Sequence, residues 1–394
     1  MPGKTFIFFA CACACLLAGA GANAAPYIPS SGAQVLERLP GGLAPARRAL
    51  QEARSALRAH PHDLALATNL AQRYIEQSRR DGDPRYLGYA QAALVPWWDQ
   101  PQPPSPVLVL RATLRQSTHQ FGAALADLDT VLQRDSGNSQ AWLTRATVQT
   151  ITGDFGGARA SCMRLYSRAP QLVVQACLSS VGSVSGDAGA SYERLRKAHA
   201  ARADAGPELR AWSATLLGEM ATRLGRPDAA EAHFREALAL DPADSYLLGA
   251  YADFLLERGR AVEVVALLRD KTQADALLLR HAIALKTTGA PGAAQASAEL
   301  AARFDAAMRR RDNVHQREQA RYELALRGDA PAAVRLAKLN WAVQKEPADL
   351  RILAQAALAS RDPEAQVLVR AWLASSRLED AGIAATVARL GGKA

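Results

Sequence analysis

The stretch ELRAWSATLLGEMATRLGRPDAAEAHFREALALDPAD, residues 208–244, decides the fold of this chain. Gly218 lies within a first helical segment, where a missing side chain lets another helix approach closely, and Gly225 ends that segment. Three residues at spacings of four and three form one face of a second helix: Ala230, Phe234 and Ala237. Pro242 ends this second helix, because proline has no amide hydrogen to continue it. The stretch therefore predicts two packed helices joined by a short turn.

Copies of this helix–turn–helix pattern recur at intervals of about 34 residues. Upstream, the matching residues are Leu108, Ala112, Phe121, Ala124 and Leu128, and then Trp142, Ala146, Gly153, Asp154, Ala158 and Pro170. An early copy has Ala67, Leu70, Ala71 and Tyr74, and the downstream copies have Ala252, Gly259, Val264 and Leu268, then Ala282, Gly289, Ala294 and Ala298. One pair is too small to bury its apolar face alone, so the pairs are expected to stack into a continuous core.

The composition agrees with an all-α protein. Of the 394 residues, 49% are hydrophobic and only 6% are aromatic. The apolar residues are mostly Ala and Leu, which lose little conformational freedom in a helix. Runs of the β-branched residues that strands favour are few and short.

The spacing of small, aromatic and proline residues resembles the tetratricopeptide repeat. The resemblance implies an all-α, right-handed α-α superhelix of about nine helix pairs, in which the first helix of each pair lines the concave side. The repeats are expected over residues 43–376, most clearly at 106–170 and 208–271. A capping helix, near Ala381 to Leu390, and a tail are expected within residues 377–394.

A second marker, Pro-x-Asp, recurs where one helix should end and the next begin, at Pro61–Asp63, Pro242–Asp244 and Pro347–Asp349. Proline would end the first helix and aspartate would cap the second through its free amides. Counting back from Pro61 predicts a lone helix near Pro45 to Arg58. His60 and His62 could form a metal site with Asp63, but the recurrence of the motif favours a helix cap.

The N-terminus has the pattern of a secretory signal peptide. Lys4 precedes the uncharged apolar run Phe6–Leu17, and Ala22-Asn23-Ala24 offers small residues for cleavage after Ala24. Residues 1–24 are therefore predicted to be the signal, followed by an extended arm at 25–42. A membrane anchor and a lipoprotein are the alternatives. The mature chain is not expected to span a membrane, and in a Gram-negative host it would reach the periplasm.

Two cysteines remain after removal of the predicted signal, Cys162 and Cys177. The resemblance places them on adjacent helices that pack against each other. An oxidising compartment permits a disulfide at this position. The alternative is that both are buried as small apolar residues.

The segment from Pro96 to Pro106 interrupts the repeats with Trp97, Trp98 and several prolines. It is predicted to be a stiff, non-helical loop. The tryptophans would either form an exposed platform for a glycan or peptide, or fold back over the helix ends. Folding back is favoured, because aromatic side chains bury large areas.

Charge and motifs exclude several functions. The net charge of +9 falls to +8 without Lys4, and the arginines are scattered, so no nucleic acid is expected as a partner. No phosphate-binding glycine loop, zinc-binding histidine pair or dinucleotide fingerprint is found in the sequence. No catalytic residue, cofactor or metal is predicted.

The predicted function is a non-enzymatic scaffold in the bacterial cell envelope that binds a protein or peptide in the concave groove. By the family register, the groove residues are Thr113, Gln116, Thr147, Thr150, Trp212, Glu219, Arg223, Tyr246, Asp253 and Glu257. Trp212 and Tyr246 occupy the same register in adjacent repeats, so they either form an anchoring pair or pack at helix N-termini.

Two other functions remain open at this stage. One is an enzyme, or its regulatory subunit, that acts on envelope polymers with Glu219, Asp253 and Glu257. The other is a periplasmic carrier of a metal ion or small ligand.

Overall fold

The computed structural model describes Ser31, residues 45–310 and residues 314–390. These residues form 20 α-helices and one π-helical turn, and they contain no strand, which confirms the all-α prediction. The predicted signal at 1–24 and, apart from Ser31, the predicted arm lie outside them. The chain forms two units, Met1–Arg48 and Ala49–Ala394. Apart from the first residues of the first helix, all of the helices belong to the second unit.

The helices are, in chain order, α1 Pro45–Ala59, α2 Leu64–Asp81, α3 Arg85–Trp98, α4 Ser105–Ser117, α5 Phe121–Arg134, α6 Ser139–Thr152, α7 Phe155–Met163, α8 Gln171–Ser183, α9 Ala188–Ala200, α10 Pro207–Arg223, α11 Pro227–Leu240, α12 Ser245–Glu257, α13 Ala261–Leu268, α14 Asp275–Thr288, α15 Ala293–Arg309, α16 Gln316–Tyr322, α17 Ala330–Val343, α18 Pro347–Ser360, α19 Pro363–Ser376 and α20 Ala381–Arg389. The π-helical turn, Glu323–Arg327, follows α16. The predicted lone first helix and the capping helix correspond to α1 and α20.

Two sets of contacts build the solenoid. From α2 to α18, each even-numbered helix packs against the odd-numbered helix that comes after it. Over the same range, consecutive even-numbered helices also pack against one another. The even-numbered helices, which are the first helices of the pairs, therefore form one continuous layer. This layer carries the candidate functional side chains.

The pair α10–α11 shows why the pattern around Gly218 produces this packing. A Cβ atom on Gly218 would lie 2.8 Å from the ring of Phe234, so only glycine allows the two helices to come this close. Phe234 is buried together with Ala230 and Ala237. Gly225, with φ of +67°, adopts the left-handed conformation that ends α10.

The small and apolar residues of the other copies are largely buried as predicted. Examples are Ala67, Leu70, Ala71, Tyr74, Ala112, Phe121, Ala124, Leu128, Ala146, Ala158, Ala252, Val264, Leu268 and Ala282. The prediction is wrong in α15, where Ala294 and Ala298 are exposed. Ala296 and Leu300 are buried in their place, because the turn before α15 extends to Gly292 and shifts the register.

The Pro-x-Asp marker has two structural meanings. The side chains of Asp63 and Asp244 accept hydrogen bonds from backbone amides in the first turns of α2 and α12, as predicted for caps. The third copy is different, because α18 already begins at Pro347. Asp349 therefore lies inside the first turn, where its side chain accepts a 2.9 Å hydrogen bond from the backbone amide of Glu346.

The predicted non-helical loop is shorter than expected. Pro96, Trp97 and Trp98 complete α3, so only the residues between α3 and α4 are non-helical. Trp97 is 9% exposed and Trp98 packs against the same apolar cluster. Burial of these rings offsets the hydrogen bond that Pro96 cannot donate. The structure thus folds the tryptophan pair back over the helices and presents no exposed aromatic platform.

The described residues also bear on the membrane prediction. Among them, no helix is both long enough and apolar enough to cross a bilayer.

Candidate functional site

Four predicted groove residues lie together on α10 and α12, facing charged residues of later first helices. We use the name inner face for these four and the residues that surround them: Glu219, Tyr246, Asp253, Glu257, Arg280, Arg317, Arg321, Glu346 and Arg351. The first helices stack with one face in common, so residues distant in sequence meet there.

Glu219 and Tyr246 form a hydrogen-bonded pair between α10 and α12. The Tyr246 hydroxyl donates to Glu219 Oε1 at 2.6 Å. The charge of Glu219 and burial among neighbouring groups raise the pKa of Tyr246 well above its usual value. Burial also raises the pKa of Glu219, although Arg223 opposes this shift. The Tyr246 side chain is nevertheless 60% exposed, so it faces solvent-accessible space between helices of the same unit.

Asp253 is held by two arginines. Arg280 Nη2 on α14 and Arg321 Nη1 on α16 each donate to one of its carboxylate oxygens at 2.6 Å. Burial alone would raise the pKa of Asp253, but the two guanidinium groups lower it to about 2. The carboxyl group is therefore ionised at any physiological pH.

Glu257 belongs to a charged group that joins α12 to α18. Its carboxylate pairs with Arg351, whose guanidinium also lies 3.1 Å from Asp380 Oδ2. Asp380 in turn caps α20 by accepting a hydrogen bond from the Ile383 amide. The contact therefore links a predicted groove residue to two of the last helices of the chain.

Arg317 is shared among three carboxylates. Its guanidinium lies 3.2 Å from Glu318, 3.1 Å from Glu346 and 3.4 Å from Asp349. Burial and the charge of Asp349 raise the pKa of Glu346 to about 7, against the opposing charge of Arg317. This part of the inner face therefore has more acidic than basic groups. Burial lowers the pKa of His119, just beyond the end of α4, and the charge of Arg317 lowers it further.

The remaining predicted groove residues are placed differently. Three threonines on α4 and α6 donate hydrogen bonds to backbone carbonyls one turn earlier in their own helices: Thr113, Thr147 and Thr150. Gln116 is half-buried on α4. Arg223 donates to Ser183 Oγ at 2.9 Å.

Trp212 and Tyr246 are not stacked. Trp212 packs against the apolar cluster around α10, while Tyr246 is exposed and hydrogen-bonded to Glu219. The described ring contacts include none between the two side chains. The packing alternative therefore describes Trp212, and Tyr246 stands alone as an accessible aromatic group.

The sequence did not reveal the arginines that face the groove residues. Arg280, Arg317, Arg321 and Arg351 all lie on first helices. The interval of 30 residues between Gly259 and Gly289 leads from Asp253 to Ile283, and Arg280 lies about one turn earlier in the same helix. The others come after Phe304, where the repeat pattern becomes irregular, so their orientation could not be counted from the motif.

Cys162 on α7 and Cys177 on α8 form a disulfide, with Cα atoms 5.7 Å apart. This distance is typical of such a bond. Both side chains belong to a buried cluster with Ala146, Ala158 and Leu165.

Among the described residues, no group of three or more histidine, cysteine, aspartate or glutamate side chains could hold a metal ion. Asp63, beside His60 and His62, caps α2 by accepting a hydrogen bond from the Leu66 amide.

Residues 221–277 match the tetratricopeptide repeat family. The match spans the end of α10 through the start of α14 and includes Tyr246, Asp253 and Glu257. It confirms the resemblance inferred from the sequence. No curated protein matches the chain in sequence.

Several solved structures align with much of this chain. A tetratricopeptide repeat protein from Parabacteroides merdae shares 13% identity over 64% of this chain and 98% of its own, with a TM-score of 0.37. Yeast Tom70 shares 14% identity over 87% of this chain and 92% of its own, with a TM-score of 0.36. The human IFIT1 dimer with PPP-AAAA shares 14% identity over 87% and 85%, with a TM-score of 0.45. At these values the similarity says nothing about what this chain binds.

Proposed function

We propose that this tetratricopeptide-repeat protein is a non-catalytic scaffold of the bacterial cell envelope that binds a protein or peptide through its inner face. The tetratricopeptide fold suggests a protein-interaction scaffold. The observation that carries the proposal is the exposed Tyr246 among acidic and basic side chains from successive first helices. An aromatic group with polar neighbours is suited to anchor one residue of a partner while the neighbours select its charge.

The pairing of Asp253 and Glu257 with arginines favours binding over catalysis by these two carboxylates. Tetratricopeptide-repeat proteins are generally non-catalytic. A general base must accept a proton near the working pH. Asp253, with a pKa of about 2 between two arginines, is poorly suited to that task, and Glu257 is paired with Arg351. The same pairing favours a scaffold over a metal carrier, because these carboxylates already have cationic partners.

The envelope location is supported by two features. The first is the signal-like pattern at residues 1–24. The second is the disulfide between Cys162 and Cys177, since such bonds persist in oxidising compartments and are rare in the cytosol. In a Gram-negative host the corresponding compartment is the periplasm.

The test compares two exposed residues of one helix pair. Tyr246 on α12 is 60% exposed and Val262 on α13 is 71% exposed. Purified wild type, Tyr246→Ser and Val262→Ser proteins would be used to capture proteins from a periplasmic extract, with circular dichroism to verify folding. We expect a protein that wild type and Val262→Ser capture equally and Tyr246→Ser captures at least about tenfold less, the effect of losing an aromatic anchor.

Two outcomes would contradict the proposal. Equal capture by all three proteins would place the binding surface away from Tyr246. Absence of any specifically captured protein, both here and with the opened variant described below, would remove the support for a protein scaffold and leave ligand carriage as the function to examine.

A further inference from the structure

We propose that the last helices of the chain form an intramolecular latch that pairs with the α12 carboxylates of the inner face, Asp253 and Glu257, and must be released for a partner to reach them. The inference rests on the proposed function, because it concerns access to the same surface. We use the name C-terminal block for residues 320–390, and the name seam for its contacts with three turns of the solenoid at residues 151–155, 186–188 and 225.

The seam advances by one repeat at each contact. At the α6–α7 turn, the Lys345 amide donates to the Ile151 carbonyl at 2.7 Å. At the α8–α9 turn, Glu379 Oε1 accepts a hydrogen bond from the Ala188 amide at 3.1 Å. At the α10–α11 turn, a Cβ atom on Gly225 would lie 3.5 Å from the Cβ of Ala381. The C-terminal block therefore runs along one edge of the solenoid in register with three successive pairs.

The contact at Ala188 completes a helix that lacks its own cap. Asp187 is the N-cap residue of α9, but its side chain caps no amide of α9. It pairs with Arg194 at 2.6 Å instead. Glu379, which is 191 residues away in sequence, supplies the acceptor that the helix N-terminus requires. A helix end satisfied only from a distant segment provides a direct reporter of whether the seam is closed.

Trp372 occupies a notch that only glycine leaves open. A Cβ atom on Gly153 would lie 2.6 Å from the Trp372 ring. The same ring meets Phe155 edge-on, with centroids 5.9 Å apart. Trp372 is therefore the main apolar contact that the block makes with the α6–α7 turn.

The C-terminal block can separate without losing its own core. Most of its buried apolar residues form a cluster that contains only residues of the block, such as Leu350, Leu353 and Val369. Tyr322, at the start of the block, is buried instead against Phe304 of α15, so the block stays attached to the solenoid at this end. Beyond this attached end, the contacts of the block with α6–α12 are hydrogen bonds, ion pairs and the packing of the partly buried Trp372. The junction with α10 also holds a cavity of about 350 Å³ lined by Arg223, Leu373 and Asp380, so this part of the seam is not closely packed.

The block pairs directly with residues of the predicted groove. Arg321 and Arg351, both in the block, bind Asp253 and Glu257. A partner that uses those carboxylates must displace both arginines. Binding and release of the block are therefore coupled: whatever favours the open form increases the apparent affinity for the partner.

The first experiment opens the seam with a matched pair of glycine variants. Gly153 and Gly259 are both turn glycines with positive φ, of +86° and +73°, but only Gly153 faces the block, since nothing lies within 4 Å of a Cβ on Gly259. Hydrogen exchange would be measured by mass spectrometry for wild type, Gly153→Ala and Gly259→Ala. We expect Gly153→Ala to raise the exchange rate at Ala188 about tenfold, the loss of one charge-assisted hydrogen bond, with no such change in Gly259→Ala.

The interior of α18 distinguishes opening from unfolding. Residues such as Leu353 and Ala357 are fully buried within the block. Their amides should keep wild-type protection in Gly153→Ala if the block separates as a unit. Equal exchange at Ala188 in the two glycine variants, or loss of protection throughout α18, would overturn the latch.

The second experiment locks the seam. Because a Cβ on Gly225 would lie 3.5 Å from that of Ala381, a disulfide can form in the double variant Gly225→Cys, Ala381→Cys. Oxidised and reduced forms of this variant would be compared, with reductant-treated wild type as the control for loss of the native disulfide. We expect the oxidised form to capture the Tyr246-dependent partner at least about tenfold less than the reduced form, and Gly153→Ala to capture more than wild type.

The capture results separate the two proposals. Tyr246-dependent capture that is equal in locked and open forms would overturn the latch and leave the proposed function intact. No Tyr246-dependent capture in any variant, including Gly153→Ala, would overturn the proposed function and with it the regulatory role of the latch.

Discussion

Single residues of the inner face show how strongly tertiary contacts change local chemistry. Asp253 and Glu346 are both carboxylic acids with groove-side positions, yet the pKa of one is lowered to about 2 and that of the other is raised to about 7. Two arginines face Asp253, whereas Glu346 shares Arg317 with Asp349 and Glu318. The number of cations per carboxylate, and not burial alone, decides the direction of the shift.

Replacement of Asp253 by Asn should destabilise the protein by about 2 kcal/mol at pH 7, because Arg280 and Arg321 would face each other without a counter-ion. The lowered folded pKa means that this contribution is fully present above the ordinary aspartate pKa near 4 and is lost as the pH falls towards about 2. Urea unfolding at pH 7 and pH 3 measures both the loss and its pH dependence.

Asp129→Asn provides the control. Asp129 pairs with Arg145 at 2.9 Å, but its side chain is 50% exposed. Exposed pairs of this kind contribute no more than about 1 kcal/mol. An equal loss of stability in the two variants would mean that Asp253 does not depend on the pairing seen across the inner face.

At the level of the helix pair, close approach explains why certain glycines matter and others do not. Gly218 on α10 faces the ring of Phe234, whereas on α3 nothing lies within 4 Å of the position that a Cβ on Gly88 would occupy. Both lie inside helices, so the intrinsic gain from alanine is the same. The difference in stability between alanine variants at these two positions therefore measures interhelical packing.

Gly218→Ala should lower the free energy of unfolding by about 1–3 kcal/mol, because the added methyl group forces α10 away from Phe234. Gly88→Ala should instead raise it by about 0.5–1 kcal/mol, through the higher helix propensity of alanine. Thermal or urea unfolding of the two variants supplies the comparison. A gain of stability in both would show that α10 and α11 can separate without cost.

At the scale of the whole molecule, the repeats do more than extend a surface. The C-terminal block returns to the turns of pairs that precede it by as many as 191 residues. At the start of α12, the Ser245 hydroxyl similarly donates to the carbonyl of Arg79 on α2 at 2.7 Å. The second unit of the chain therefore makes contacts with itself that a simple linear stack of repeats would not make.

The proposed export of the protein makes a prediction about its covalent state. Protein recovered from the periplasm of a Gram-negative host should begin at Ala25 and contain a Cys162–Cys177 disulfide-linked peptide, both detected by mass spectrometry. A version that lacks residues 2–24 should stay in the cytosol with both cysteines reduced, because that compartment maintains free thiols. Reduction should cost about 3 kcal/mol of stability, the value for a loop of 15 residues.

A full-length chain with residues 1–24 intact would favour a membrane anchor over a cleaved signal. Reduced cysteines in the periplasmic protein would remove the second line of support for export.

The sequence determined the helices, their pairing and the positions where they pack closely. Ala230, Phe234 and Ala237 repeat with the period of one helical face, and Gly218 and Gly225 mark a crossing and an end. These are local signals, because they depend on residues within about one repeat. The predictions based on these signals were wrong where the local pattern became irregular, as for the burial of Ala294 and Ala298 and for the capping position of Asp349.

Only the tertiary structure decided what the groove residues face. Tyr246, Asp253 and Glu257 were placed by register, but Arg321 lies 68 residues beyond Asp253 in sequence. The contact between Asp253 and Arg321 depends on the rotation between successive helix pairs, summed over several repeats. A small difference in each rotation moves the distant helices by many ångströms, and no motif within a single repeat encodes that sum. The contacts across the inner face are thus a property of the whole array.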